Sequence, residues 1–307
     1  MSAPERITVG IGTRNRPAAL LRCLRSLRAL GPLVHDVIVV DDGSEEPVEP
    51  RVRALAGDEG INGVTFIRFD TPRGLCAARN TFIEQAATPW VLNLDDDAAI
   101  VSVDSIRRGL DVLKRDQRVF AVAFVQADAS GAPYPPHAQP APVRVPSLIA
   151  SFIGYGHLLR RDAMLALGGF REQLVVMGEE RELCLRALDR GWRVAYLPPA
   201  CVAHLPDPTG RDTRQYLHLV VRNGVLSSLY DDPFLVLCVQ APLRLVGYFR
   251  LRRALGIADP GGFRRVLRAL WHDGPAALRI RRPVRWSTFR HWRKLVRQPE
   301  PYAEPAS

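Results

Sequence analysis

Short apolar runs that end in aspartate alternate with stretches of helical period, and this alternation narrows the possible folds most. Within "HDVIVVDD" (35–42) the core VIVV is apolar without a break, as a strand buried on both faces must be. "RITVGIGT" (6–13), "GVTFIRF" (63–69), "PWVLNLDDD" (89–97) and "VFAVAFVQA" (119–127) read as further strands. Between them, Leu20, Leu21, Leu24, Leu27 and Leu30 recur at helical spacing behind Pro17, which suits a first helical turn. "GLCAARNTFIEQA" and "DSIRRGLDVLKRD" are helical as well. Strands alternating with helices predict an α/β chain with a mostly parallel, doubly wound, Rossmann-like sheet. Further on, "LIASFIGYGHLL" reads as one apolar strand, "GEERELCLRALDRG" as a helix with an acidic first turn, and "WRVAYLP" as a last strand. The Pro- and Ala-rich residues 128–147 read as a loop crossing the site.

Ligands of such sheets bind beyond the carboxyl ends of the strands. Asp41 and Asp42, and Asp95, Asp96 and Asp97, all fall there, so two distant segments deliver carboxylates to one crevice. Crowded like charges repel, so neutralising one is expected to raise stability slightly. Clustered carboxylates can hold a hard cation, with phosphate oxygens of a substrate completing its shell. The plain alternatives are a helix-capping loop for the triple aspartate and a turn for "DDGS". "GIGTRN" lacks the third glycine of a dinucleotide fingerprint.

Taken in order, "TRNRP", "VVDDGS", "GLCAARN", "LNLDDDA" and "GGFRE…GEERELCLRALDRGWRVAYLPPACVAH" resemble glycosyltransferase family 2 and its GT-A fold, over about residues 6 to 230. The resemblance implies inverting transfer of a sugar from a nucleoside diphosphate sugar, UDP- or dTDP-linked, with Mn²⁺ or Mg²⁺. The acceptor would be a hydroxyl of a glycan or a lipid-linked molecule, in polysaccharide or glycoconjugate synthesis. It places Thr13, Arg14, Asp41, Asp42, Arg79, Asp95 and Asp96 around the nucleotide sugar, and Asp95, Asp97 and His204 around the metal. A direct displacement needs a base for the acceptor hydroxyl. The family has Glu-Asp where this chain has Glu179-Glu180; Glu180 aligns with the base, and Glu179 is the alternative. Glu182 reads as part of a solvated helix face. Gly168 and Gly169 read as a tight turn or a helix stop. The competing readings are a metal-dependent nucleotidyltransferase, which has no need of the glutamate pair, and a nucleic-acid binder using the basic tail, which carries no recognised motif; no nucleic acid partner is expected.

With 47% hydrophobic and 24% charged residues the chain is globular. Its five cysteines are scattered without a CxxC pair, which predicts free thiols in a reducing cytoplasm, and "MSAPERITVGIG" enters a strand without a signal-peptide pattern. From Arg244 to Arg297, fifteen Lys and Arg face only Asp259 and Asp273, so the net charge of +10 leaves the rest slightly acidic. A catalytic domain over 1–230 and a basic helical appendage over 231–307 follow. The apolar stretch before Arg244 is about 11 residues, too short to span a bilayer, and Pro242 interrupts it. Phe263, Val266, Leu267, Leu270 and Trp271 share a helical face among Arg264, Arg265 and Arg268, and "STFRHWRKLVRQ" repeats the mixture. This predicts a cytoplasmic enzyme held peripherally on the anionic inner face of the plasma membrane.

Overall fold

The computed structural model describes residues 6–57, 63–207 and 212–304. Strands β1 (Ile7–Thr13), β2 (Val34–Asp41), β3 (Val64–Arg68) and β4 (Trp90–Asp95) form a parallel sheet in the order β3-β2-β1-β4. The unbroken apolar run of β2 divides by strand period: Val37 and Val39 enter one core, Ile38 and Val40 the other. Helices α1 (Pro17–Ser26), α2 (Val48–Ala56) and α4 (Val103–Arg115) supply Leu20, Val52 and Ile106 to the first core. Helix α3 (Leu75–Gln85) covers the opposite face with Ala77 and Phe82. A Cβ on Gly10 would stand 2.1 Å from the Phe82 ring, so this glycine of "GIG" serves helix-to-strand packing.

Beyond β4 the sheet becomes mixed. It continues through β5 (Ala98–Ala99), β6 (Val119–Ala127), β7 (Ser147–Ile149), β8 (Gly156–Arg160), β9 (Arg193–His204) and β10 (Glu300–Pro301). The path is β10-β7-β9-β6-β8-β4-β1-β2-β3, with β5 pairing β9. The run 148–159 is therefore two strands rather than one. It breaks before β8 at Gly154, whose carbonyl accepts from Arg79 Nη2 (3.1 Å) and Asn93 Nδ2 (3.0 Å). The loop after β6 reaches the end of β9, where Tyr134 Oη donates to the His204 carbonyl (3.0 Å). Helix α5 (Arg161–Leu167) stops at Gly168, which takes φ 81°, and α6 (Glu179–Asp189) follows.

Four helices complete the described chain: α7 (Thr213–Asp231), α8 (Phe234–Ala254), α9 (Gly262–Arg279) and α10 (Trp286–Arg297). The boundary expected after residue 230 falls in the last turn of α7. The C-terminal helices return to the catalytic body: β10 pairs β7, Thr288 Oγ1 donates to Asp189 (2.6 Å), and Arg108 pairs with Glu304. The apolar face of α9 is turned inward, with Val266 buried beside Leu217 and Val221 of α7. On α10, Phe289 and Leu295 are buried. Most of the face expected to meet lipid is therefore spent on protein contacts, although Leu267 and Trp271 stay exposed. Pro242 does not interrupt α8, which runs through it for 21 residues.

Candidate active site

The strand order reverses between β1 and β4, and the carboxylates gather at that switch point. Thr13 ends β1, and its hydroxyl donates to Asp96 Oδ2 (2.7 Å). Arg16 Nη1 lies 3.0 Å from Asp96 Oδ1 and 3.2 Å from Asp97 Oδ2. Arg14 is exposed, so Arg16 is the arginine of this loop that reaches the aspartates. Pairing of Ala98 with His204 brings Asp97 Oδ1 within 3.4 Å of His204 Nε2. Burial works against ionisation of Asp97, but His204 and the Asp207 N–H outweigh it and hold the carboxyl down at about 2. Burial pushes Asp96 up to about 7, against the pull of Arg16 and Thr13.

Asp41 and Asp42 are buried and bound to backbone. Asp41 accepts from the N–H groups of Ser44 (3.0 Å) and Val48 (3.1 Å), at the start of α2. Asp42 accepts from those of Arg73 (2.6 Å) and Gly74 (2.9 Å), at the start of α3. Asn15 N–H donates to Ser44 Oγ (2.8 Å) and ties the first loop to the second. Both carboxylates thus hold the loops that lead into α2 and α3 beside the crevice.

Arg79 sits beneath the site, 1% exposed. Its guanidinium joins Asp95 Oδ1 (3.1 Å) to Glu179 Oε1 (2.8 Å). Burial disfavours its charge, and the two carboxylates raise its pKa in return. Burial also raises Glu179, which Arg79 opposes, and pushes Glu180 up to about 8 with help from the Glu179 charge. Glu180 is half-buried and makes no side-chain hydrogen bond to another described residue. Glu179 is thus held by Arg79 through Oε1, while Glu180 is the less buried carboxyl of the pair. Glu182 is fully buried between Arg171 (2.6 Å) and Arg186 (2.8 Å), not on a solvated face. The helix period turns it inward, away from Glu180.

Two further residues set this geometry. Asn223 of α7 is fully buried, its Nδ2 near the carbonyls of Leu174 (2.7 Å), Val176 (2.7 Å) and Met177 (2.8 Å). That loop holds Val175 and Met177 at positive φ just before Glu179. A lone Asn in the apolar helical run "LVVRNGVL" was its signal. Gly154 is the other. A Cβ there would stand 2.4 Å from Arg79 Nη2 and 2.7 Å from Glu180 Oε1. Gly154→Ala is therefore expected to displace both groups and cut turnover at least about tenfold, in line with misplaced reacting groups. Retained secondary structure by circular dichroism alongside that loss is the expected pattern; unchanged turnover would contradict it.

Among the described residues no three His, Cys, Asp or Glu side chains are gathered closely enough to hold a metal ion by themselves. Asp97 and His204 make a preformed pair with Asp95 nearby in sequence. Such an open set fits a cation that takes one or two carboxylates and completes its shell with phosphate oxygens.

An open α/β sheet with carboxylates at its switch point and an acid-rich helix across the crevice defines the GT-A class. The Glycosyl transferase family 2 profile matches residues 8–168, over half of the 307 residues, and the chain belongs to that family. Glu179, Glu180 and His204 lie beyond the matched span. The chain is 32% identical over 217 residues to a pre-mycofactocin glycosyltransferase of Mycobacterium tuberculosis, covering 64% of this chain and 42% of that protein. It thus spans about two fifths of that relative's length. It is 32% identical over 96 residues to the succinoglycan biosynthesis protein ExoU of Rhizobium meliloti, covering 31% and 27%. In fold it is similar to the mannosyltransferase PcManGT of Pyrobaculum calidifontis, solved with GDP-Man and Mn²⁺ (TM-score 0.57, 20% identity, 89% and 78% covered). It is also similar to GalNAc-T7, solved with UDP, GalNAc and Mn²⁺ (TM-score 0.61, 14% identity, 90% and 58% covered).

Proposed function

We propose that the chain is a metal-dependent inverting glycosyltransferase that moves a sugar from a UDP- or dTDP-linked donor to a hydroxyl of a glycan or lipid-linked acceptor. The observation that carries this is the bridge made by Arg79, whose guanidinium holds Asp95 (3.1 Å) and Glu179 (2.8 Å) at once, with Glu180 next in the helix and Asp97 meeting His204 (3.4 Å) two residues after Asp95. Family membership and the Mn²⁺ named for both structural neighbours support the reading, and the UDP named for the second supports a UDP-linked donor. The ExoU likeness favours a role in polysaccharide synthesis. All five cysteines are free, which suits a reducing cytoplasm.

Asp95, Asp97 and His204 would hold Mn²⁺ or Mg²⁺, which would neutralise charge on the departing diphosphate. Thr13, Asp41 and Asp42 frame the nucleotide crevice, and Arg79 ties Asp95 to Glu179 beneath it. Glu180 takes the acceptor hydroxyl proton as its oxygen bonds to the anomeric carbon and the bond to the diphosphate breaks. The direct test is a donor screen with UDP-, dTDP- and GDP-sugars, with and without Mn²⁺, read as binding and as hydrolysis. Metal-dependent binding of a UDP- or dTDP-sugar is expected; binding of GDP-sugars alone, or of none, would sink the proposal.

A further inference from the structure

Helix α8 presents an apolar stripe to the outside, the reverse of an ordinary surface helix. Leu235 is 71% exposed, Val239 57%, Leu243 57%, Val246 52% and Phe249 47%. Their spacing of three and four residues puts them on one face, about 21 Å long at the α-helical rise. Only Tyr248 of the whole helix is buried. The stripe runs into the exposed Arg250 and Arg253, and Arg264, Arg265 and Arg268 are exposed on α9. An exposed apolar patch rimmed by charge marks a surface that meets something.

We infer that this stripe lies in the interfacial region of an anionic lipid bilayer, with the helix parallel to the membrane plane. Charge selects the occupant. The segment from Arg244 to Arg297 carries fifteen basic residues and two acids, so a second copy of the chain would bring like charge to like. Lipid phosphates bring the opposite charge.

The helix has the length and mean hydropathy, 1.4 over its apolar window, of a spanning segment. Its attachments argue for lying flat. Arg244, at mid-helix, donates to the Gly224 carbonyl of α7, and Tyr248 Oη donates to Asp259 Oδ2 (2.8 Å) in the turn before α9. Val236 packs on the cluster of Leu185, Val284 and Phe289, and Leu245 and Leu251 pack on that of Leu217, Val221 and Val266. The inner face is thereby fastened to the protein along its length, and crossing a bilayer would strip those contacts. This placement does not depend on which sugar is transferred. It would hold a lipid-linked acceptor near the enzyme.

The test is co-sedimentation of the full chain with vesicles of phosphatidylcholine alone, and with vesicles in which about a third of the lipid is phosphatidylglycerol. Binding to the anionic vesicles only, weakened by salt, is expected. Leu243→Glu with Val246→Glu changes exposed positions alone and should lower partitioning by more than about tenfold while the melting temperature and donor hydrolysis hold. Arg250→Glu with Arg253→Glu serves as a second variant and should also weaken binding. Wild type that ignores anionic vesicles, or a Leu243→Glu/Val246→Glu chain that binds as wild type, overturns the inference. So does a wild-type dimer in light scattering that the same double variant breaks without any vesicle binding; the stripe would then belong to a second copy.

Discussion

Glu180→Gln is expected to lower kcat by about 10²- to 10⁴-fold with donor affinity intact, because glutamine keeps the shape but cannot accept the proton. The free carboxyl titrates at about 8, so kcat/KM of the wild type should rise with pH through that region. Stability moves the other way. A carboxyl whose folded-state pKa is raised above its ordinary 4.5 destabilises the fold once ionised, and the loss grows as pH climbs from 4.5 toward about 8. The glutamine variant should therefore melt higher than wild type at pH 9 and equally at pH 4. Glu179→Gln should behave differently, since it leaves the buried Arg79 short of a partner. Breaking such a pair costs about 3–5 kcal/mol and should show as a lower melting temperature. Normal turnover in Glu180→Gln beside a dead but stable Glu179→Gln would move the base to Glu179.

Asp97→Asn should weaken metal-dependent donor binding by about 10- to 100-fold or more, read by calorimetry with and without Mn²⁺. Crowding alone predicts a gain in stability on removing this charge. The structure reverses the sign. Asp97 accepts from Arg16 and the Asp207 N–H and faces His204, and its carboxyl is held at about 2. Its charge contributes stability at neutral pH that is lost as pH falls below the ordinary 3.8 toward 2. The asparagine chain should melt somewhat lower at pH 7 and stay folded. Unchanged donor affinity and an unchanged metal response would remove Asp97 from the metal site.

By itself the sequence determined the parallel half of the sheet, because a buried strand must be apolar on both faces and a covering helix on one. It also placed the aspartates at strand ends, since the apolar runs stop there. Only the tertiary structure decided what each charged group touches. Arg16 rather than Arg14 meets Asp96 and Asp97 because of how the loop after β1 closes against Ser44. Arg79 lies under the site because α3 buries that turn of its face, and no local pattern distinguishes a buried arginine from a solvated one. Asp97 meets His204 through a two-residue strand pairing across 107 positions, which no local pattern encodes. Glu182 is buried and Glu180 less so because two residues along a helix point to opposite sides. In the tail, the apolar face of α9 found α7 as its partner while one apolar stripe of α8 stays outward. Hydrophobicity fixes that such residues seek cover; the tertiary packing of the helices fixes which of them receive it from protein.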